Sequence, residues 1–228
     1  MGKKISAVIF WGAVWGLVEA TLGYVLHSLS LSVGWFFWFP LAYFFMDRVY
    51  KQTGSSISVL CTAAIAAIIK LVDFLFPVRI DMVINPAVSI LLEGLVVFAA
   101  IKISEHKQDF YRFRYLEALT VSVGWRVLYI LYIFLMPAFY FNLSPLRAIN
   151  PFMKFFLLES VMNSLIIYAY LKITERINNR NENVEQIVEQ VDNRIFKRLI
   201  AYIDTHIALR ISLSFSVLVL AFYVQWVF

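Results

Sequence analysis

Seven apolar stretches follow one another along the chain, and each is a candidate membrane-spanning helix. An α-helix rises 1.5 Å per residue, so about 20 mostly apolar residues cross the hydrocarbon layer. The second stretch is short and opens on an aromatic run at residues 35–40, which predicts a position at the level of the lipid headgroups. The pattern predicts an all-α, polytopic membrane helix bundle with spans at 5–27, 33–50, 57–77, 83–103, 116–140, 151–173 and 208–227.

A polar stretch interrupts this series between the sixth and seventh apolar segments. Its apolar residues recur at helical spacing on one face, which predicts an amphipathic helix lying on the cytoplasmic membrane surface. A helix that docks a partner or dimerises is the alternative. The predicted organisation is a six-helix transmembrane core at 1–175, the cytoplasmic amphipathic helix at 176–207 and a C-terminal transmembrane helix at 208–228. Without the last span, six helices remain and the C-terminus is cytoplasmic.

The basic residues indicate how the chain is oriented. If the N-terminus is cytoplasmic, fifteen lysines and arginines fall in cytoplasmic segments and three, Arg79, Arg147 and Lys154, fall outside. Such an excess of bases marks the cytoplasmic side of a membrane protein. We therefore predict a multi-pass protein of the cell membrane, embedded in the lipid bilayer with a cytoplasmic N-terminus. Topology accounts for the net charge of +5, so nucleic acid is not a predicted partner.

Composition agrees with a membrane location. Of the 228 residues, 61% are hydrophobic and 15% are charged. A soluble domain is closer to half apolar and a quarter charged. A chain of this length has too much apolar surface for one water-soluble core.

Two segments of the chain align as an internal repeat, 57–105 and 116–175. Four short motifs recur in the same order, among them Asn85-Pro86 with Asn150-Pro151, and the glutamates Glu93 and Glu159. The prediction is a pair of related helical hairpins. Asparagine before proline favours an N-cap followed by the first helical turn, with a role at the outer mouth of a ligand site as the alternative. Transporters often bind their substrate between such repeats.

Ionisable residues placed deep in the predicted spans are the candidate site. A charge at the centre of a membrane helix costs roughly 2.5–3.5 kcal/mol on insertion scales, so these side chains must face one another, face water or be neutral. A polar cavity that binds substrate is one interpretation, and structural ion pairs are the other. Arg126 with Glu93 or Glu159 is the expected pair. The predicted substrate-binding residues are Glu19, Lys70, Asp73, Glu93, Arg126, Glu159 and Asn163, with Trp125, Tyr129 and Tyr132 as aromatic walls.

Small residues recur every four positions on the first helix, at Gly12, Gly16 and Ala20. This spacing lets another helix approach closely. We predict a contact with another subunit, and packing within the chain is the alternative.

Common catalytic and metal-binding signatures are missing from the sequence. There is no phosphate-binding Gly-rich loop, and the three histidines lie in separate regions without ligand spacing. We predict no enzymatic activity, no metal and no cofactor.

The chain resembles the substrate-binding S-component of an energy-coupling factor (ECF) vitamin transporter. The resembling features are its small size, the cytoplasmic N-terminus, the small-residue stripe on helix one, and the turn Asn85-Pro86 leading into LLEG at 91–94. The resemblance covers roughly residues 5–175. It implies a six-helix fold that binds a vitamin-like or other small polar solute. It also implies that uptake needs a coupling membrane subunit, which contacts helix one, and two ATPases.

Three functions follow as hypotheses. The first is the substrate-binding subunit of an importer for a small polar or vitamin-like solute. The second is a self-contained carrier coupled to protons or sodium, with a glutamate as the ion site. The third is a scaffold or assembly factor that does not transport and docks partners on the cytoplasmic helix.

Overall fold

A computed structural model describes the protein at residues 2–28, 36–75, 80–106, 114–136 and 149–188. Within the first and last helices, side chains are described as far as Glu19 and Arg176. The described residues are almost entirely helical, which confirms the predicted all-α class.

Six helices make up the described part of the chain. Helix α3 ends in a 3₁₀ turn at Val72–Leu75, and helix α6 contains a π-helical turn at Lys154–Leu158. The bounds are α1 Gly2–Ser28, α2 Trp38–Thr53, α3 Ile57–Leu71, α4 Ile80–His106, α5 Arg114–Leu135, and α6 from Ile149–Met153 through the π turn to Glu159–Val188.

Four of these helices are long and apolar enough to cross a membrane. They are Ile57–Leu75, Val83–Glu105, Tyr115–Leu135 and Ile149–Arg176, at the places of the third to sixth predicted spans. Helix α2 has 16 residues, about 24 Å, and is shorter than the hydrocarbon layer. The six-span core stays a prediction, and the predicted seventh span at 208–228 lies outside the described residues.

Helix α3 packs between α1 and α4. A Cβ placed on Gly12 would lie 2.8 Å from the Cβ of Ile65, and one on Gly16 would lie 2.6 Å from Cδ1 of Ile69. On the other side of α3, a Cβ on Gly94 would lie 2.5 Å from the Cβ of Ala63. Glycine is required at these positions because the backbone of one helix lies directly against a side chain of the other.

The contact of α1 with α3 concerns the predicted stripe of small residues. Gly12 and Gly16 are buried against a helix of the same chain, which is the packing that the sequence left open as the alternative. Their contact with another subunit stays a prediction. The third member of the stripe, Ala20, lies in α1, but its side chain is outside the described residues.

Helix α2 packs against α1, α3, α4 and α6. Its buried face includes Phe39, Met46 and Val49. Phe39 lies 5.5 Å from Trp125 of α5, measured between ring centroids. Part of the aromatic run that opens α2 is therefore in the protein core.

Helix α4 begins earlier than its Asn-Pro pair suggested. Because the helix starts at Ile80, Pro86 lies inside it and Asn85 is not its N-cap, contrary to the prediction. Asn85 instead accepts a hydrogen bond from the Tyr132 hydroxyl at 3.1 Å. In α6, Pro151 does lie in the first turn. The repeat itself stays a prediction, although α3 packs on α4 and α5 packs on α6 as paired hairpins would.

Helix α6 continues past the predicted end of the membrane core. It runs from Glu159 to Val188 without a break, so the predicted boundary at 175/176 is not a helix end. The segment beyond Arg176 adds roughly 18 Å of helix. The rest of the predicted amphipathic helix, 189–207, lies outside the described residues.

Candidate functional site

Arg126 is the centre of the buried polar cluster. It lies on α5 and its side chain is fully buried, with no exposed surface. Nη1 donates a hydrogen bond to the Ser122 carbonyl at 2.8 Å. The guanidinium carbon lies 4.6 Å from the ring centroid of Trp125 and 5.2 Å from that of Phe155. The aromatic rings stabilise the cation through their negative faces, an interaction that strengthens when water is excluded.

Glu159 of α6 is the counter-ion of Arg126, and is one of the two acids, with Glu93, that the sequence offered as its partner. Nη2 of Arg126 lies 3.7 Å from Oε2 of Glu159, whose side chain is 5% exposed. This distance makes an ion pair but is too long for a hydrogen bond. The pair therefore neutralises charge while leaving hydrogen-bonding capacity on both partners.

The π-helical turn at Lys154–Leu158 sets the register of this part of α6. It immediately precedes Glu159 and contains Phe155, one of the rings at the guanidinium. Single π turns inside α-helices are frequent at functional sites.

Asn163 completes the group one turn after Glu159. In the amide orientation that satisfies both of its polar atoms, Oδ1 accepts from Nη2 of Arg126 at 2.9 Å. Its Nδ2 donates to the Phe36 carbonyl at 2.7 Å. Asn163 thus connects the cluster to the backbone just before α2. We call Arg126, Glu159 and Asn163 the arginine cluster.

Several buried atoms of the arginine cluster and its neighbours have no hydrogen-bond partner among the described residues. They are Nε of Arg126, Oε2 of Glu159, Oγ of Ser122 and Nε1 of Trp125. An unsatisfied buried donor or acceptor costs about 1–3 kcal/mol. These four atoms belong to the arginine cluster and its neighbours Ser122 and Trp125, so this part of the molecule keeps unused hydrogen-bonding capacity.

Glu93 of α4 lies near the arginine cluster. Its side chain is buried, and Oε1 accepts a hydrogen bond from the Ser89 hydroxyl at 3.2 Å. It is close enough to interact electrostatically with both Arg126 and Glu19. The structure therefore brings a second acidic side chain toward the buried guanidinium.

The remaining predicted residues extend the series of charges to α1 and α3. Glu19 accepts from Nε1 of Trp15 at 3.4 Å and interacts electrostatically with Lys70. Lys70 forms an ion pair with Asp73 at 2.8 Å, where both side chains are nearly one-fifth exposed. The predicted charges thus form a series from the end of α3 to α6, with one ion pair at each end, Lys70 with Asp73 and Arg126 with Glu159. Their role as substrate contacts stays a prediction.

Two contributors to the site were not predicted from the sequence. Ser122 precedes Arg126 by four residues, a spacing that places both on one helical face and could have identified it. Phe155 reaches the guanidinium from within the π turn. A π turn shifts the helical register, so the regular 3.6-residue period does not reveal such a contact. Trp125, predicted as an aromatic wall, does contact the cation.

A second feature is an apolar groove between α3 and α4, whose walls do not include the arginine cluster. Its volume is about 250 Å³, and its walls include Ala64, Ala67, Ile84 and Ala87. It has almost no polar lining, so it does not suit a polar solute.

The chain has no recognised relative in three comparisons: no protein-family model matches, no curated protein matches and no solved structure matches. The resemblance to ECF S-components stays a prediction.

Proposed function

We propose that this chain is a multi-pass membrane protein that binds a small polar solute at the arginine cluster. The observation that carries the proposal is the set of buried polar atoms around Arg126 that the described residues leave without hydrogen-bond partners. In hydrocarbon there is no bulk water to satisfy such atoms. Ionisable residues within a membrane bundle are therefore functional candidates.

The geometry of the ion pair supports binding over a purely structural role. A structural pair gains most from short, multiple hydrogen bonds, which offset the cost of removing both charges from water. Here Arg126 and Glu159 remain 3.7 Å apart, and each keeps an unused polar atom. A solute that reaches both Nε of Arg126 and Oε2 of Glu159 would satisfy both.

We further propose that binding serves uptake into the cell, with six spans in the core and the N-terminus in the cytoplasm. In support, the basic side chains Lys51 and Lys102 lie at the C-terminal ends of α2 and α4, and Tyr170 of α6 contacts the end of α2. Lys51 pairs with Asp47, which also accepts from the Tyr170 hydroxyl at 2.5 Å. Lys102 pairs with Glu105 at 2.8 Å. A basic end is the expected cytoplasmic end. As in the transporters that the sequence resembles, a separate coupling subunit and ATPases would drive uptake.

A self-contained carrier coupled to protons or sodium is the second candidate. It is favoured by the electrostatic contact of Glu19 with Glu93, two acids within the bundle. Uptake by this chain alone in liposomes under an ion gradient would establish it, and dependence on an ATPase would exclude it.

A thermal-shift screen tests the proposal directly. The full chain, purified in detergent, is screened with water-soluble vitamins, amino acids and other small polar solutes. We expect one class of compound to stabilise the protein and Glu159→Gln to reduce that stabilisation. Glu105→Gln is the matched control, since it makes the same change in an ion pair far from the cluster. The absence of any response would refute the proposed function.

A further inference from the structure

We infer that the solute is a zwitterion that carries a carboxylate and an amine with N–H groups, as an amino acid does. The inference rests on the proposed function and adds the chemical class of the ligand. It follows from the kinds of atom that are left unused at the arginine cluster and from the charges around it.

Two of the unused atoms are donors only. Nε of Arg126 and Nε1 of Trp125 each carry a hydrogen and cannot accept one. They belong to neighbouring groups, because the guanidinium carbon lies 4.6 Å from the Trp125 ring centroid. A carboxylate accepts several hydrogen bonds and pairs favourably with a guanidinium. These two donors therefore favour a carboxylate on the solute.

One unused atom is an acceptor. Oε2 of Glu159 has no hydrogen-bond partner in the described structure and lies 3.7 Å from Nη2 of Arg126. An ionised carboxylate only accepts hydrogen bonds. A protonated amine on the solute would donate to this oxygen, whereas a quaternary amine has no N–H to donate. Ser122 adds a hydroxyl that can serve either group.

The charges around the cluster disfavour a solute with net negative charge. Glu93 interacts with Arg126 from α4, and Glu19 interacts with Glu93 from α1. Lys154 acts on Glu159 from α6, and Lys70 is paired with Asp73. The buried guanidinium of Arg126 already has Glu159 as its counter-ion, so an anion alone would add a buried charge without a counter-ion. A zwitterion brings its own compensating amine.

The test compares four related compounds on the full-length protein in detergent, by isothermal titration calorimetry. The amino acid among the standard twenty that binds most tightly is compared with its N-trimethyl, deaminated and decarboxylated derivatives. We expect each derivative to bind weaker on the order of tenfold or more, because each loses a charge-assisted hydrogen bond.

Glu159→Gln separates the role of the amine from that of the carboxylate. In this variant the preference for the amino acid over its deaminated derivative should fall on the order of tenfold. Glu105→Gln should leave the preference unchanged. The compound series on the unaltered protein gives a result even if Glu159→Gln does not fold.

The outcomes distinguish this inference from the proposed function. Equal binding of the deaminated, decarboxylated or N-trimethyl compound would overturn the inference and leave a polar solute site in place. Tight binding of a different polar solute and no amino acid would do the same. If neither amino acids nor any other polar solute bind, the proposed function itself fails.

Discussion

Replacing Gly16 with alanine tests whether α1 packs on α3 of the same chain. The added Cβ would lie 2.6 Å from Cδ1, 2.9 Å from Cβ and 3.0 Å from Cγ2 of Ile69. The Cβ of Ile69 is fixed to its backbone and the side chain is fully buried, so the two helices must separate. Overpacking of this kind costs about 1–3 kcal/mol.

The cost should appear as a lower melting temperature of the purified protein. For a protein of this size, 1 kcal/mol corresponds to roughly 2–4 °C, so Gly16→Ala should lower the melting temperature by roughly 2–12 °C. Ile69→Ala alone removes fully buried apolar atoms and should cost about 2–5 kcal/mol. The double variant should be less destabilised than the sum of the two single variants, by about 1 kcal/mol or more. The reason is that Ile69→Ala removes Cδ1 and Cγ2, two of the atoms that the added Cβ would meet.

Gly54→Ala is the control for this cycle. Gly54 has a φ of +61° and nothing within 4 Å of the added Cβ, so its cost comes from the backbone alone and should add to that of Ile69→Ala. If Gly16→Ala and Ile69→Ala also add without coupling, the α1–α3 contact is not as the structure describes it. Gly16 would then be open to another subunit, as the stripe of small residues first suggested.

Three further predictions concern other parts of the molecule. Gly94→Ala should destabilise the protein by about 1–3 kcal/mol in thermal unfolding, since its Cβ would lie 2.5 Å from a side chain of α3; an unchanged melting temperature would contradict the close α3–α4 contact. Tyr170→Phe removes a hydrogen bond to the Asp47 carboxylate and should cost about 1–2 kcal/mol by the same assay, whereas a stabilised variant would speak against that bond. Lys102→Cys, in a variant without the native cysteine, should react with a membrane-impermeant maleimide only after cells are permeabilised. Labelling of intact cells would reverse the proposed orientation.

The sequence predicts the fold where lipid and helix geometry leave few choices. Spans three to six were located within a few residues because long apolar runs must form helices in hydrocarbon. The stripe of Gly12 and Gly16 predicted a close helix contact but not the partner, because small residues suit a contact within the chain and one between subunits equally. The prediction of Asn85 as an N-cap was wrong because an Asn-Pro pair marks the start of a helix only when no helix has already begun before it. Here α4 begins at Ile80.

The candidate site could likewise be predicted from the sequence only in part. An acidic counter-ion for Arg126 was predictable, since a charge inside the bilayer requires a partner, but the sequence did not decide between Glu93 and Glu159. The 3.7 Å spacing of that pair, the amide bridge from Asn163 and the π turn beside Glu159 depend on how α5 and α6 pack together. Hydrophobic periodicity in one sequence carries no information about such distances.

A density map of the full-length protein with its best-binding polar solute is the decisive measurement for the arginine cluster as a binding site. We predict solute density within hydrogen-bonding distance of both Nε of Arg126 and Oε2 of Glu159. A map in which protein side chains satisfy both atoms, with the solute bound elsewhere or absent, would contradict it.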